Sequence, residues 1–257
     1  MQFWPTIGRM QVRCQVWLWL AGLLWLSSAA LAAEKPVLVL NDTNDPPFTT
    51  ADHTGFLDVI ASEAFRRVGA ELRLVKLPPE RGLINANAGI EDGDLTRIAG
   101  LEKQYPNLVR VPEKLVDWEF MAFSKNTSIA STWSVLRQHA IGHIKGWKIY
   151  EQNLATAGQV TTADDAEQLF RLLDLDRIEV ALYERSLGTA LVQQQGLKGV
   201  RLLAPPLATR EMFIYLHRRH AALAPPLAEA LRAMKRDGFY QRVYNEKLKP
   251  YREAPSP

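Results

Sequence analysis

Cysteine is nearly absent: one residue in 257, at position 14. That excludes a disulfide framework and any metal centre built from paired thiolates. No zinc-ligand spacing, glycine-rich phosphate loop or Gly-x-Ser-x-Gly elbow occurs, so neither a nucleotide site, a cofactor nor a catalytic nucleophile is implied. Basic residues never run longer than Arg218-Arg219-His220, which argues against a nucleic-acid partner. His139 and His143 stand four apart, but their stretch reads as a strand, where that spacing separates side chains by roughly 13 Å, and no metal site is expected.

The first 33 residues contain Arg9 and Arg13, no acidic residue, and an apolar run over 16–26. Ala30-Leu31-Ala32 offers small residues where a signal peptidase reads, so residues 1–32 are expected to be a cleaved export signal and the protein periplasmic. The uncharged stretch 14–33 is almost long enough for a membrane anchor, but small residues crowd its distal end, which favours cleavage. Removing 32 of the 257 residues leaves 225, takes the only cysteine, and lowers the basic count from 31 to 29 against 28 acidic. A chain of that size can be stabilised by core burial without cross-links.

Residues 37–40 and 72–77 read as strands flanking an amphipathic helix over 55–68. Phe56, Ile60, Ala64 and Val68 recur every four residues, with Leu57, Ala61 and Phe65 on the adjoining row. Asp58 falls in its first turn, Arg66-Arg67 in its last, and Gly69 just beyond. A break at Pro78-Pro79 precedes a short helix, and Gly93-Asp94 opens another strand. Strands are expected at 108–111 and 119–124, then an unpatterned segment over 124–131. A second alternating set follows: a strand at 141–145, a helix after Gly146, a short strand near Val160, and a helix over 163–173 with Thr162 as its cap and Asp165 three residues on. Strands at 178–183 and 200–203 flank a helix over 187–195, and 212–216 is extended. The tail is helical, broken at Asp237-Gly238, with disorder expected over 253–257.

Two consecutive sets of alternating strands and helices suggest two α/β lobes between which the chain crosses twice. Several separated pieces strengthen this: Pro46-Pro47-Phe48, Gly55-Phe56-Leu57-Asp58, Gly93-Asp94, Ile144-Lys145-Gly146-Trp147-Lys148-Ile149, Arg177-Ile178-Glu179-Val180-Ala181 and Met234-Lys235-Arg236-Asp237-Gly238. In that order they resemble the extracellular solute-binding proteins of family 3, the type II periplasmic binding proteins of polar amino-acid uptake. The resemblance implies an α/β fold with two lobes, each a central sheet flanked by helices, and two crossover strands as a hinge. Lobe 1 would comprise residues 33–123 plus 217–257, and lobe 2 residues 124–216. A small polar ligand, amino-acid-like, would bind between them for delivery to the membrane permease of an ABC transporter, and the protein would be a monomer and not an enzyme. Alternatives on the same fold are a receptor for a membrane signalling kinase and an enzyme like the cyclohexadienyl dehydratases.

The resemblance also places an α-carboxylate-binding guanidinium at Arg97 and an ammonium-binding carboxylate at Glu184. A planar guanidinium fork and a carboxylate suit those groups. The usual Glu-Arg and Phe-Ser pairs are replaced by Thr96-Arg97-Ile98-Ala99-Gly100-Leu101, and Glu184 stands where Asp is commoner. Further ligand-binding candidates are Phe48 as an aromatic cleft wall or a core plug, Arg81, Trp118, and Trp147, whose helix start after Gly146 offers backbone N–H groups to an anion. Asp42 and Asp45 could meet a cationic group or bond their own turn.

Overall fold

The computed structural model describes residues 1–3 and 35–253. The expected export signal and the expected disorder at the C-terminus lie almost entirely outside them. Among the described residues, no helix is long and apolar enough to cross a membrane.

Strand β1 (Val37–Asp42) leads through a polar loop to helix α1 (Phe56–Arg67) and back to β2 (Glu71–Lys76), parallel to β1 from Val37↔Glu71 to Asp42↔Lys76. The expected helical face is the buried one: Phe56, Leu57, Ile60, Ala61, Ala64 and Phe65 are wholly buried. Each such side chain contributes roughly 1.5–3 kcal/mol of burial free energy. Gly55 precedes the helix because a Cβ there would lie 2.5 Å from the Phe48 carbonyl oxygen. The Asp58 carboxylate accepts the Gly55 and Thr50 N–H groups at 2.9 Å each, satisfying donors that a helix start leaves free. Gly69, with φ +78°, ends the helix in the left-handed region as expected.

Helix α2 (Pro79–Ala88) follows, then β3 (Gly93–Ile98), β4 (Leu108–Arg110) and β5 (Val116–Ser124). The second set comprises α3 (Trp133–Leu136), β6 (Ala140–Ile144), α4 (Lys148–Asn153), β7 (Gln159–Ala163), α5 (Ala166–Asp174), β8 (Val180–Glu184), α6 (Arg185–Gln195) and β9 (Arg201–His217). Helices α7 (Ala224–Arg236), α8 (Phe239–Lys247) and α9 (Lys249–Arg252) close the chain. Gly238, φ +78°, breaks the tail where expected.

Two details differ from the sequence expectation. The helix expected from residue 163 starts at Ala166, because Thr162 and Ala163 are still paired with His143 and Ile144 in the sheet. Its cap is Asp165, whose carboxylate accepts the Gln168 N–H at 2.7 Å, while the Gln168 side chain accepts the Asp164 N–H at 2.7 Å. The same reciprocal capping device operates, three residues further on. The extended pieces at 200–203 and 212–216 are one 17-residue strand, β9. Pro205 and Pro206 fall where its pairing with β5 shifts register, between Phe120↔Ala208 and Ala122↔Leu203, so their missing N–H groups cost no ladder bond.

The strands pair in the order β2-β1-β3-β9-β5-β8-β6-β7, with β4 also on β9. The sheets expected for the two lobes are therefore joined in one hydrogen-bonded, curled path. The joint is the antiparallel pair β5 and β9, and both strands run from one half of the fold into the other. The loops following β1 and β2 on one side, and β6, β7 and β8 on the other, are where open α/β sheets hold ligands.

Candidate functional site

On the first side, the end of β1 carries a buried polar network. Asp42 accepts the Asn44 backbone N–H at 3.0 Å, the Asn44 side-chain amide at 2.6 Å and the Thr49 hydroxyl at 2.7 Å. Asn44 also donates to Thr96 Oγ1 at 2.8 Å. Burial raises the Asp42 pKa, with these bonds opposing it. Asp42 thus bonds its own turn. Asp45 instead pairs with Lys76 at the end of β2.

Arg97 belongs to a second part of the network. Its Nη2 donates to Asp94 Oδ2 at 2.7 Å and to the Pro79 carbonyl at 2.8 Å. Asn41 donates to the same Asp94 oxygen at 2.9 Å. The guanidinium expected to face a ligand carboxylate thus has a partner inside its own half, tying β3 to the start of α2. Arg81, one turn along α2, is exposed and makes no ion pair with the described residues. Its neighbour Glu80 lies close enough to Lys148 of α4 to raise that ammonium's pKa, after Glu151, which dominates. The start of α2 therefore faces the start of α4.

On the second side, Glu184 is wholly buried at the junction of β8 and α6. Its Oε2 accepts the Ser186 and Leu187 N–H groups at 2.6 and 3.0 Å, making it the cap of α6. Arg252 of α9 stands 3.5 Å from Oε1, and itself donates to the Asp117 carbonyl and, at 3.2 Å, to Ser186 Oγ. Desolvation outweighs these contacts and pushes the Glu184 pKa up to about 7. The carboxylate expected to hold a ligand ammonium is engaged by α6 and α9.

The aromatic candidates come together. Phe48, Trp118, Trp147 and Tyr150 form a column with successive centroid separations of 5.9, 5.5 and 5.7 Å and interplanar angles of 27°, 25° and 4°. Phe48 lies in the loop after β1, Trp147 and Tyr150 at α4, and Trp118 on the connecting strand β5 between them. Phe48 is fully buried, which favours its role as a core plug, and only Trp147 is partly exposed. Such stacked rings add about 0.5–1.5 kcal/mol per pair beyond their burial. The anion site expected at Gly146 is filled internally, because the Glu151 carboxylate accepts the Gly146 N–H at 2.8 Å. The two histidines stay apart in role: His139 pairs with Glu179 at 2.8 Å, and His143 is buried with its Nδ1 at 2.9 Å from the Ile144 carbonyl.

Beside the column lies a cavity of about 360 Å³. The loop after β1 contributes Asp45 and Pro46; Asp165, Ala166 and Glu167 come from the start of α5, Tyr183 from β8, and Leu187, Leu191 and Gln194 from α6. Tyr183 was not among the sequence candidates, because it falls inside an apolar strand run, and Asp165 reads there only as a helix cap. A second cavity, about 280 Å³, lies against Thr127, Ile129 and the start of β9, away from these loops.

No family model matches the chain. An uncharacterized protein of Shewanella oneidensis is 26% identical over 224 residues, covering 84% of this chain and 83% of that protein. Among solved structures, an ancestral arginine-binding protein bound to glutamine superposes with a TM-score of 0.71 at 19% identity, over 83% of this chain and 98% of its own. A histidine kinase sensor domain with similarity to periplasmic binding proteins gives 0.71 at 17%, over 84% and 96%. The amino acid ABC transporter substrate-binding protein AbpA of Streptococcus pneumoniae, bound to L-arginine, gives 0.69 at 14%, over 84% and 94%. An ancestral amino-acid-binding protein described as a precursor of cyclohexadienyl dehydratase gives 0.67 at 14%, over 82% and 95%. The shared feature is the fold: this chain has the two-lobed type II periplasmic-binding-protein architecture.

Proposed function

We propose that the protein is an exported solute-binding receptor that captures a small polar, amino-acid-like solute between its lobes and delivers it to a membrane permease of the ABC type. The observation that carries this is the cavity walled by Asp45 and Pro46 on one side and by α5, β8 and α6 on the other, astride the paired strands β5 and β9. A ligand touching both walls would bind the closed arrangement in preference to the open one, which is what a hinged receptor requires. The lobes are residues 33–123 with 217–257, and residues 124–216, with α9 reaching across to pack on α6.

Arg81, Arg97, Trp118, Trp147 and Glu184 surround this region, together with Phe48. With Arg97 and Glu184 internally engaged, polar recognition falls chiefly to other groups. Isothermal titration and thermal shift with a panel of amino acids, amines and carboxylates test the proposal. Heat and a raised melting temperature with at least one member are expected; silence across the panel refutes it.

A sensor role is the second reading, favoured by the likeness to a kinase sensor domain. A permease and ATPase encoded beside the gene supports uptake, and a lone kinase supports sensing. Catalysis of the dehydratase kind finds less support, because the acid that could serve it, Glu184, is fully buried against α6 and Arg252.

A further inference from the structure

We infer that the solute carries a cationic end group, an alkylammonium or guanidinium on a short apolar stem, seated in the cavity between Asp45, Asp165, Glu167 and Tyr183. The inference rests on the receptor reading and narrows it to one ligand class.

The cavity wall contains three carboxylates and no basic side chain. Asp45 is offset by Lys76, but Asp165 and Glu167 make no ion pair with the described residues. The starts of α5 and α6 point their partial positive charge this way, and it is offset where it arises, by Asp165 as the cap of α5 and by Glu184 as the cap of α6. An anionic ligand would meet the excess carboxylate charge, and a cation would be drawn to it.

Tyr183 supplies the independent pointer. Its residue is only 3% exposed, it lines the cavity, and its hydroxyl makes no hydrogen bond with the described residues. A nearly buried hydroxyl without a partner is costly unless a bound molecule or water takes the bond. Burial first, then Asp45, Glu184 and Asp165 in that order, hold this phenol protonated well above its ordinary range. Those carboxylates therefore surround it, and it remains a neutral hydroxyl whose oxygen can accept from an ammonium or guanidinium N–H. Leu187 and Leu191, with Pro46 opposite, provide the apolar wall along which a methylene stem would lie.

The test is titration calorimetry on the chain without residues 1–32, using agmatine, arginine, glutamine and glutamate. Agmatine and arginine are expected to bind, glutamine more weakly, and glutamate weakest. The double variant Asp165→Asn with Glu167→Gln should weaken agmatine about fivefold or more, the sum expected from losing two partly exposed charge contacts. Asn is as good a helix cap as Asp, so the fold should persist, and an unchanged melting temperature verifies it. Tyr183→Phe, which keeps the ring and removes only the hydroxyl, should weaken agmatine several-fold. Tighter binding of glutamate or glutamine than of either cation would overturn the cation assignment and leave the receptor reading standing, as would unaltered agmatine affinity in the double variant. Binding of no member overturns both.

Discussion

Replacing Glu184 by Gln should stabilise the protein at pH 8 and remove a defined part of its pH dependence. The carboxyl is wholly buried, and burial moves its pKa from 4.5 to about 7 against the pull of Arg252 and the two N–H groups of α6. A folded-state pKa above the unfolded one means that the native state binds the extra proton. Its contribution to stability is therefore full below pH 4.5 and is lost as pH rises through about 7. The difference of about 2.5 units corresponds to about 3 kcal/mol between the two limits. For a chain of this size that is about 6–12 °C in melting temperature. Gln is neutral at every pH, and its amide oxygen can still accept the Ser186 and Leu187 N–H groups that Glu184 accepts. Melting curves at half-unit steps from pH 5 to pH 8.5 should show the parent losing stability towards alkaline pH and the variant following a flatter line that crosses above it near neutrality. If Glu184→Gln melts lower than the parent at pH 8 and both lines fall in parallel, Arg252 and the helix start outweigh burial and the reasoning is refuted.

Arg97→Met would leave the Asp94 carboxylate, 1% exposed, with only Asn41 as partner, and should cost about 3–5 kcal/mol in urea unfolding; an unaltered midpoint would return Arg97 to a purely ligand-directed role. Gly188→Ala places a Cβ 2.3 Å from the Phe123 ring, so about 1–3 kcal/mol should be lost, and a melting temperature equal to the parent's would contradict the packing described. Trp147→Ala removes the ring between Trp118 and Tyr150; because Trp147 is only partly buried, about 2 kcal/mol is expected, at the low end for such truncations, together with a changed tryptophan emission spectrum.

Much of the fold was legible in one sequence because its signals are local. The four-residue recurrence from Phe56 to Val68, Gly69 and Gly238 at helix ends, and the apolar runs at 37–40 and 178–183 each depend on residues close along the chain. Even the two errors of detail were errors of tertiary override. Residues 162–163 were claimed by pairing with β6 before α5 could start, and β9 stayed extended through Pro205-Pro206 because its ladder with β5 is interrupted there.

The candidate site was less legible. Phe48, Trp118 and Trp147 were named from separate segments, and their stacking into one column with Tyr150 depends on β5 placing Trp118 between the two loops. Arg97 and Glu184 could be picked by chemistry but not by availability, since their partners Asp94, Pro79 and Arg252 are chosen by packing. The sequence alone determined which segments are strands and helices, that thiolate and phosphate-loop chemistry are absent, and that two α/β sets follow one another. Tertiary structure decided which charges remain free for a solute. Periodicity reports which side of an element is buried, whereas the partner of a buried charge is set by contacts between residues as far apart as Glu184 and Arg252.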